Sequence, residues 1–240
     1  MAKALDHRVR VAALRREEMQ LHLLFSGLML ASAHSIHELE VEDVVRYAEV
    51  SRGSFYKYFP SLSDLYDSLA HRLMQEMAGV IGVMAPQSLD GVTRLACKIR
   101  ILMRLAVDIP ALGNFLSQIQ WPTQNTHLDI FEDIVGDIKS GINVGRLTDV
   151  PVSIGSNMVI GSLIGGIHAM LLEPPSTGYE DKVANQVLMG LGMDPELAAE
   201  MSKIPLQPRP PLPDTGIFGK LRSFQATLAG QDNGCDATAA

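Results

Sequence analysis

Cysteine, tryptophan and aromatic residues in general are scarce in this 240-residue chain: two Cys, one Trp and an aromatic fraction of 5%. Cys97 and Cys235 stand far apart with no metal-ligand spacing, which excludes a disulfide framework and a thiolate metal centre. Positive charge is also short. The 20 Lys and Arg face 27 Asp and Glu, for a formal net charge of −7, so no overall basic balance announces nucleic-acid binding. The N-terminus lacks the basic, apolar and small-residue succession of a leader peptide, and no apolar run reads as long enough to span a bilayer. The expectation is a cytoplasmic protein with no membrane partner.

Catalytic signatures are absent as well. There is no phosphate-binding glycine loop, nucleophile elbow or paired-carboxylate arrangement, so neither an enzyme nor a cofactor is expected. His34 and His37, three apart beside Glu38, are a weak metal-ligand pair with no third or fourth ligand, and no metal site is assigned.

What the chain has is aliphatic helix. Its hydrophobic fraction of 47% and twelve Met suit a large, adaptable core. Neither strand alternation nor an internal repeat occurs, so the fold class is all-α. Helical patterns run from about Arg10 to Ala33 and from Ser61 to about Met77, then at about 88–108, 110–120, 125–143, 150–173 and 179–201. Pro110, Pro122, Gly145 and Pro174-Pro175 punctuate them.

The stretch Val41–Tyr66, VEDVVRYAEVSRGSFYKYFPSLSDLY, carries the most chemistry. Val41, Val44, Val45 and Ala48 fall at i, i+3, i+4 and i+7, one apolar face of a short helix. Ser51 is a good N-cap for a second, on which Phe55 and Phe59 point inward. Arg52, Ser54, Tyr56, Lys57 and Tyr58 are left to the other side. A helix of this kind fits the major groove of DNA. Arg52 suits a guanine edge, Ser51, Ser54, Tyr56 and Tyr58 offer hydroxyls to phosphates, Lys57 adds a cation, and Gly53 leaves room for close backbone approach. After Pro60, Ser61-Leu62-Ser63-Asp64 forms a capping-box start for the next helix.

This segment resembles the DNA-binding region of the tetracycline-repressor (TetR) family of bacterial one-component regulators. By position, Ala48-Glu49-Val50-Ser51 matches the family turn and Arg52–Phe59 its recognition helix. The resemblance implies a three-helix helix-turn-helix head on a larger helical body that binds an effector and dimerises. Three residues depart from the pattern: Glu49 stands where Gly is usual, Glu40 where Thr or Ser caps the second helix, and Leu62 where Lys begins the fourth. If Glu49 takes a positive φ, the substitution costs on the order of 1 kcal/mol. Glu40 removes a good cap and adds a negative charge near the expected phosphate.

Residues 1–78 hold nine Lys and Arg against eleven Asp and Glu, so placement matters more than the sum. Five cations, Arg10 among them, lie in residues 1–16 and are expected to form a basic arm that follows the DNA backbone or enters the minor groove. The domain reading is therefore 1–60, the basic arm and helix-turn-helix; 61–203, the effector-binding and dimerisation body; and 204–240, a Pro-rich extension, partly disordered. A short amphipathic helix is expected at 217–228 within it.

Candidate effector contacts in the body are Met103, Phe115, Trp121 and Phe131 as apolar lining, with Arg104, Gln118, Asn157 and His168 as polar handles. Segment 150–173 is apolar nearly all round, and Gly161 and Gly165 have the spacing that lets another helix approach closely. The family resemblance implies that 150–173 and 179–201 form a homodimer interface. The function that follows is a dimeric repressor, released from a double-stranded DNA operator by a small, largely apolar effector. The alternatives are the same fold acting through protein contacts without DNA binding and, as a rival class, an all-α enzyme.

Overall fold

The first helix starts earlier than the sequence pattern suggests. In the computed structural model, which describes residues 2–85, 89–118, 129–173 and 176–235, helix α1 spans Ala2–Ala33. The expected basic arm is thus helical. Ala, Leu, Lys and Arg are strong helix formers, and adding a turn to an existing helix needs no new nucleus.

Two compact units divide the chain. One holds Met1–Leu30, His37–Leu73 and Pro211–Ala240, and the other Ala31–Ile36 and Met74–Pro210. The first contains most of α1, then α2 (Val41–Tyr47), α3 (Arg52–Tyr56), the start of α4 (Leu62–Met84) and α11 (Gly216–Cys235). Its buried apolar residues include Leu23, Leu24 and Leu28 on α1, Val44 on α2, Phe55 and Phe59 at α3, Leu65 and Leu69 on α4, and Ile217, Phe218 and Leu221 on α11. Ser61 caps α4 as expected: its hydroxyl accepts from Asp64 N–H at 3.2 Å and bonds the Asp64 carboxylate at 2.5 Å. Helix α11 runs to Cys235, beyond the 217–228 anticipated, with Ser223 and Thr227 hydroxyls bonding carbonyls four residues back.

The second unit is built on α5 (Gly91–Asp108), which contacts α6 (Pro110–Gln118), α7 (Asp129–Asn143), α8 (Val152–Leu172), α9 (Tyr179–Gly190) and α10 (Pro195–Met201). Asp90 caps α5 by accepting from Val92 N–H at 3.1 Å and Thr93 N–H at 3.2 Å. The single helix expected over 179–201 is two. Gly192, at φ 84, ends the first in a conformation that favours glycine, and Asp194 with Pro195 starts the second.

Helix α8 corrects one further expectation. At 21 residues it is long and apolar enough, by length and composition, to cross a membrane. It packs instead against α5, α6, α7 and α9, burying Gly155, Val159, Leu163, Gly166, Ile167 and Met170. None of the described residues approaches Gly161 or Gly165; among them the close approaches fall at Gly155, against Leu191 and Ile138, and at Gly166, against Met103.

Candidate nucleic-acid interface

Helix α2 begins without a side-chain cap from Ser or Thr, and Asp43 makes up for it by accepting from the Glu40 N–H at 3.0 Å. It ends in a Schellman motif. Glu49 N–H bonds Arg46 C=O at 3.3 Å and Val50 N–H bonds Val45 C=O at 3.0 Å, which places Glu49 in the left-handed region at φ 53. His22 on α1 contacts the turn through Nε2, 2.9 Å from the Ala48 carbonyl oxygen. The glycine substitution noted in the sequence therefore falls where a positive φ is required, and the turn keeps its shape around it.

Ser51 then starts α3, its hydroxyl accepting from Ser54 N–H at 3.1 Å. Regular α3 stops at Tyr56, although Phe59 N–H still reaches Phe55 C=O at 3.0 Å, so Lys57 and Tyr58 continue the same spiral. Phe55 and Phe59 are buried with ring centroids 6.0 Å apart. On the opposite side Ser51, Arg52, Gly53, Tyr56 and Lys57 are exposed, and Ser54 and Tyr58 partly so. A Cβ added at Gly53 would meet only Ser51 Oγ at 3.9 Å, so packing within the chain does not require glycine there.

Arg52 is not loose. Its guanidinium donates to the Glu42 carboxylate on α2, reaches the Tyr56 hydroxyl at 3.4 Å, and lies 5.7 Å from the Tyr56 ring centroid. The Tyr56 hydroxyl and the Glu42 charge together raise its pKa and hold it charged. Beside the recognition helix, an open groove of about 830 Å³ is lined by His7, Val11, Ala12, Arg15, Arg16, Met19, Lys57 and Tyr58. Arg15 and Arg16 thus join Lys57, while Arg10 lies exposed on α1 outside the groove. The sequence marked the cationic stretch. It did not single out Arg15 and Arg16, because only the helical path of α1 orders them along one face.

In the body, Met103 and Phe115 are fully buried. Gln118 is committed locally, donating to Ala31 C=O at 2.8 Å and Asn114 C=O at 3.2 Å and accepting from Ile36 N–H at 2.9 Å. Arg104 donates to Glu180 at 2.7 Å. Asn157 and His168, expected as polar lining, are exposed on α8: its helical period sets them on the side away from Val159 and Ile167. Trp121 and the side chain of Phe131 fall outside the described residues. A buried charge cluster that the sequence did not suggest joins α5 to α7. Lys98 Nζ bonds Asp137 at 2.7 Å, and Arg94 Nε bonds the same carboxylate at 2.8 Å. Among the described residues, no group of three or more His, Cys, Asp or Glu is placed to hold a metal.

Comparison with known proteins agrees with this geometry. Residues 23–69 match the family of bacterial regulatory proteins, tetR family, and residues 90–203 match the tetracyclin repressor-like C-terminal domain. No protein of curated function matches the sequence. Among solved structures, RolR in complex with resorcinol superposes with a TM-score of 0.67 at 21% identity, covering 82% of this chain and 100% of that one. A putative tetR family transcription regulator from Shewanella sp. PV-4 gives 0.64 at 17%, covering 72% and 97%. FadR from Bacillus subtilis, in complex with stearoyl-CoA, gives 0.54 at 16%, covering 71% and 96%. The chain belongs to the TetR family: it is a DNA-binding transcriptional regulator that binds a ligand, and its family is not one of enzymes.

Proposed function

We propose that the protein is a homodimeric, cytoplasmic repressor that leaves its operator when a small, largely apolar effector enters the body. The observation that supports DNA reading by α3 is its division of faces. Phe55 and Phe59 are buried in the core, while Ser51, Arg52, Gly53, Tyr56 and Lys57 are presented to solvent. Arg10, Ser54 and Tyr58 complete the proposed contact set, and the groove adds Arg15 and Arg16 as phosphate ligands.

Dimerisation is supported by α8. Ile154, Met158, Gly161, Gly165, His168 and Leu172 recur at helical spacing along its exposed side, with Leu172 exposed by 70%. A second copy of the chain would cover this stripe, and two recognition helices would then read a pseudo-palindrome. The effector reading is supported by the buried Met103 and Phe115 and by relatives whose ligands are resorcinol and stearoyl-CoA. Release requires the effector to bind the non-DNA-binding conformation more tightly.

The test is a salt titration of binding to DNA from upstream of the protein's own gene beside random DNA of equal length. The expected result is preference for the upstream fragment, a steep salt dependence, and loss of the preference in Arg52→Ala. No preference at any salt would favour a regulator acting through protein contacts. Unchanged operator affinity at effector saturation would remove the sensor part alone.

A further inference from the structure

Glu42 and Arg52 lie ten residues apart, on opposite sides of the turn, and meet at the surface that would face DNA. One guanidinium nitrogen of Arg52 donates to Glu42 Oε1, the other stands 3.4 Å from the Tyr56 hydroxyl, and the group lies along the Tyr56 ring. The two side chains remain 63% and 42% exposed. An exposed ion pair contributes little to stability, because solvent screens the attraction and ordering two long side chains costs entropy. Its effect on recognition is larger. A guanidinium with no partner at the start of a recognition helix would take any phosphate oxygen within reach. A carboxylate beside it neutralises that general attraction and repels a phosphate directly.

A guanine is different. It offers O6 and N7 to the planar fork of Arg, and a cytosine amino group in the adjoining pair offers a donor to a carboxylate. The Arg52–Glu42 pair matches such an edge with both of its signs. We propose that Glu42 is a specificity-determining residue, holding Arg52 back from phosphates so that it engages DNA only at a guanine edge with a cytosine amino group within reach of the carboxylate. This rests on the DNA-binding reading above.

The experiment first selects an operator with the wild-type protein from a pool of random-sequence duplexes. Binding to that operator and to a scrambled duplex is then measured for the wild type, Glu42→Gln, Arg52→Ala and the double variant, at two salt concentrations. Thermal unfolding confirms that each variant is folded. The Gln variant keeps the size of the side chain and removes its charge. Its operator-to-scrambled affinity ratio is expected to fall by about tenfold, the scale of one base contact, mainly because scrambled DNA binds more tightly. With Arg52 already replaced, the same change is expected to leave the ratio where it is. Glu40→Gln, which removes a nearby charge that has no bond to Arg52, is expected to shift both duplexes together. Equal shifts for Glu42→Gln on both duplexes, or the same fall in ratio with and without Arg52, would reduce Glu42 to a background charge and overturn the inference. Failure of the wild type to enrich any sequence would instead defeat the DNA-binding reading itself, and that is seen before any variant is made.

Discussion

Phe25 on the first helix and Phe224 on the last meet edge to face, with ring centroids 5.9 Å apart and planes at 64°. Through this contact the C-terminal helix becomes part of the unit that carries the recognition helix, and Ile217, Phe218 and Leu221 are buried alongside it. The family matches end at residue 203, so α11 lies outside the matched residues. Phe218→Ala is expected to destabilise the head by about 3–5 kcal/mol, the range for emptying a buried aromatic site. Phe224→Ala, on the half-buried partner, is expected to cost less. Chemical denaturation of both variants checks the order; equal and negligible shifts would mean that α11 only rests on the surface.

Glu49 occupies the left-handed position of the turn at φ 53, where a Cβ is strained. Glu49→Gly relieves that strain while loosening the unfolded chain, and the two effects oppose each other. The strain is the larger, so the variant is expected to be more stable by up to about 1 kcal/mol. A lower denaturation midpoint for Glu49→Gly would show that the Glu side chain makes up for its backbone.

Burial, and then the nearby Asp43 charge, push the Tyr66 phenol up to about 12. The folded head therefore holds this proton more tightly than the unfolded chain, whose value is about 10. The contribution is fully present below pH 10 and is lost as pH rises towards 12. Wild-type stability is expected to fall across that window more steeply than that of Tyr66→Phe. Parallel slopes in alkaline denaturation series would contradict this.

Asp137 bonds two cations at the α5–α7 contact, Lys98 and Arg94, and its side chain is 2% exposed; Lys98 also has Asp133 at 3.5 Å. Asp137→Asn keeps the shape and leaves both cations without their shared buried carboxylate. The expected cost is about 3–5 kcal/mol, the penalty of breaking a buried pair from one side. Replacing Asp137 and Lys98 together, by Leu and Met, is expected to recover part of it, which a double-mutant cycle would read directly.

Local signals made the head legible. Ser51, Ser61 and Asp64 bond their own helix starts, and Phe55 and Phe59 lie one turn apart, so a short window of sequence contains both partners. The exposed stripe of α8 was not legible, because a helix apolar on every side gives periodicity no face to select. Nor was the Glu42–Arg52 pair, which depends on how the turn sets α2 against α3. The break at Gly192 is an intermediate case. Asp194-Pro195 is a helix-start signal that the apolar continuity of 179–201 concealed.

Gly53 separates the demands of folding from those of recognition. It sits inside α3, where glycine is less favourable than alanine by roughly 0.5–1 kcal/mol, and an added Cβ would find only Ser51 Oγ, at ordinary contact distance. Folding alone would favour Ala. Gly53→Ala is therefore expected to raise the thermal midpoint of the free protein. If the backbone here lies against the duplex, the same methyl group occupies space that the DNA needs, and operator affinity is expected to drop by about tenfold or more, the scale of one lost contact. Unfolding and operator titration on the same preparation test both halves. Gains in stability and affinity together would show that the helix does not approach DNA at this residue, and would move the reading surface towards Arg52 and Tyr56.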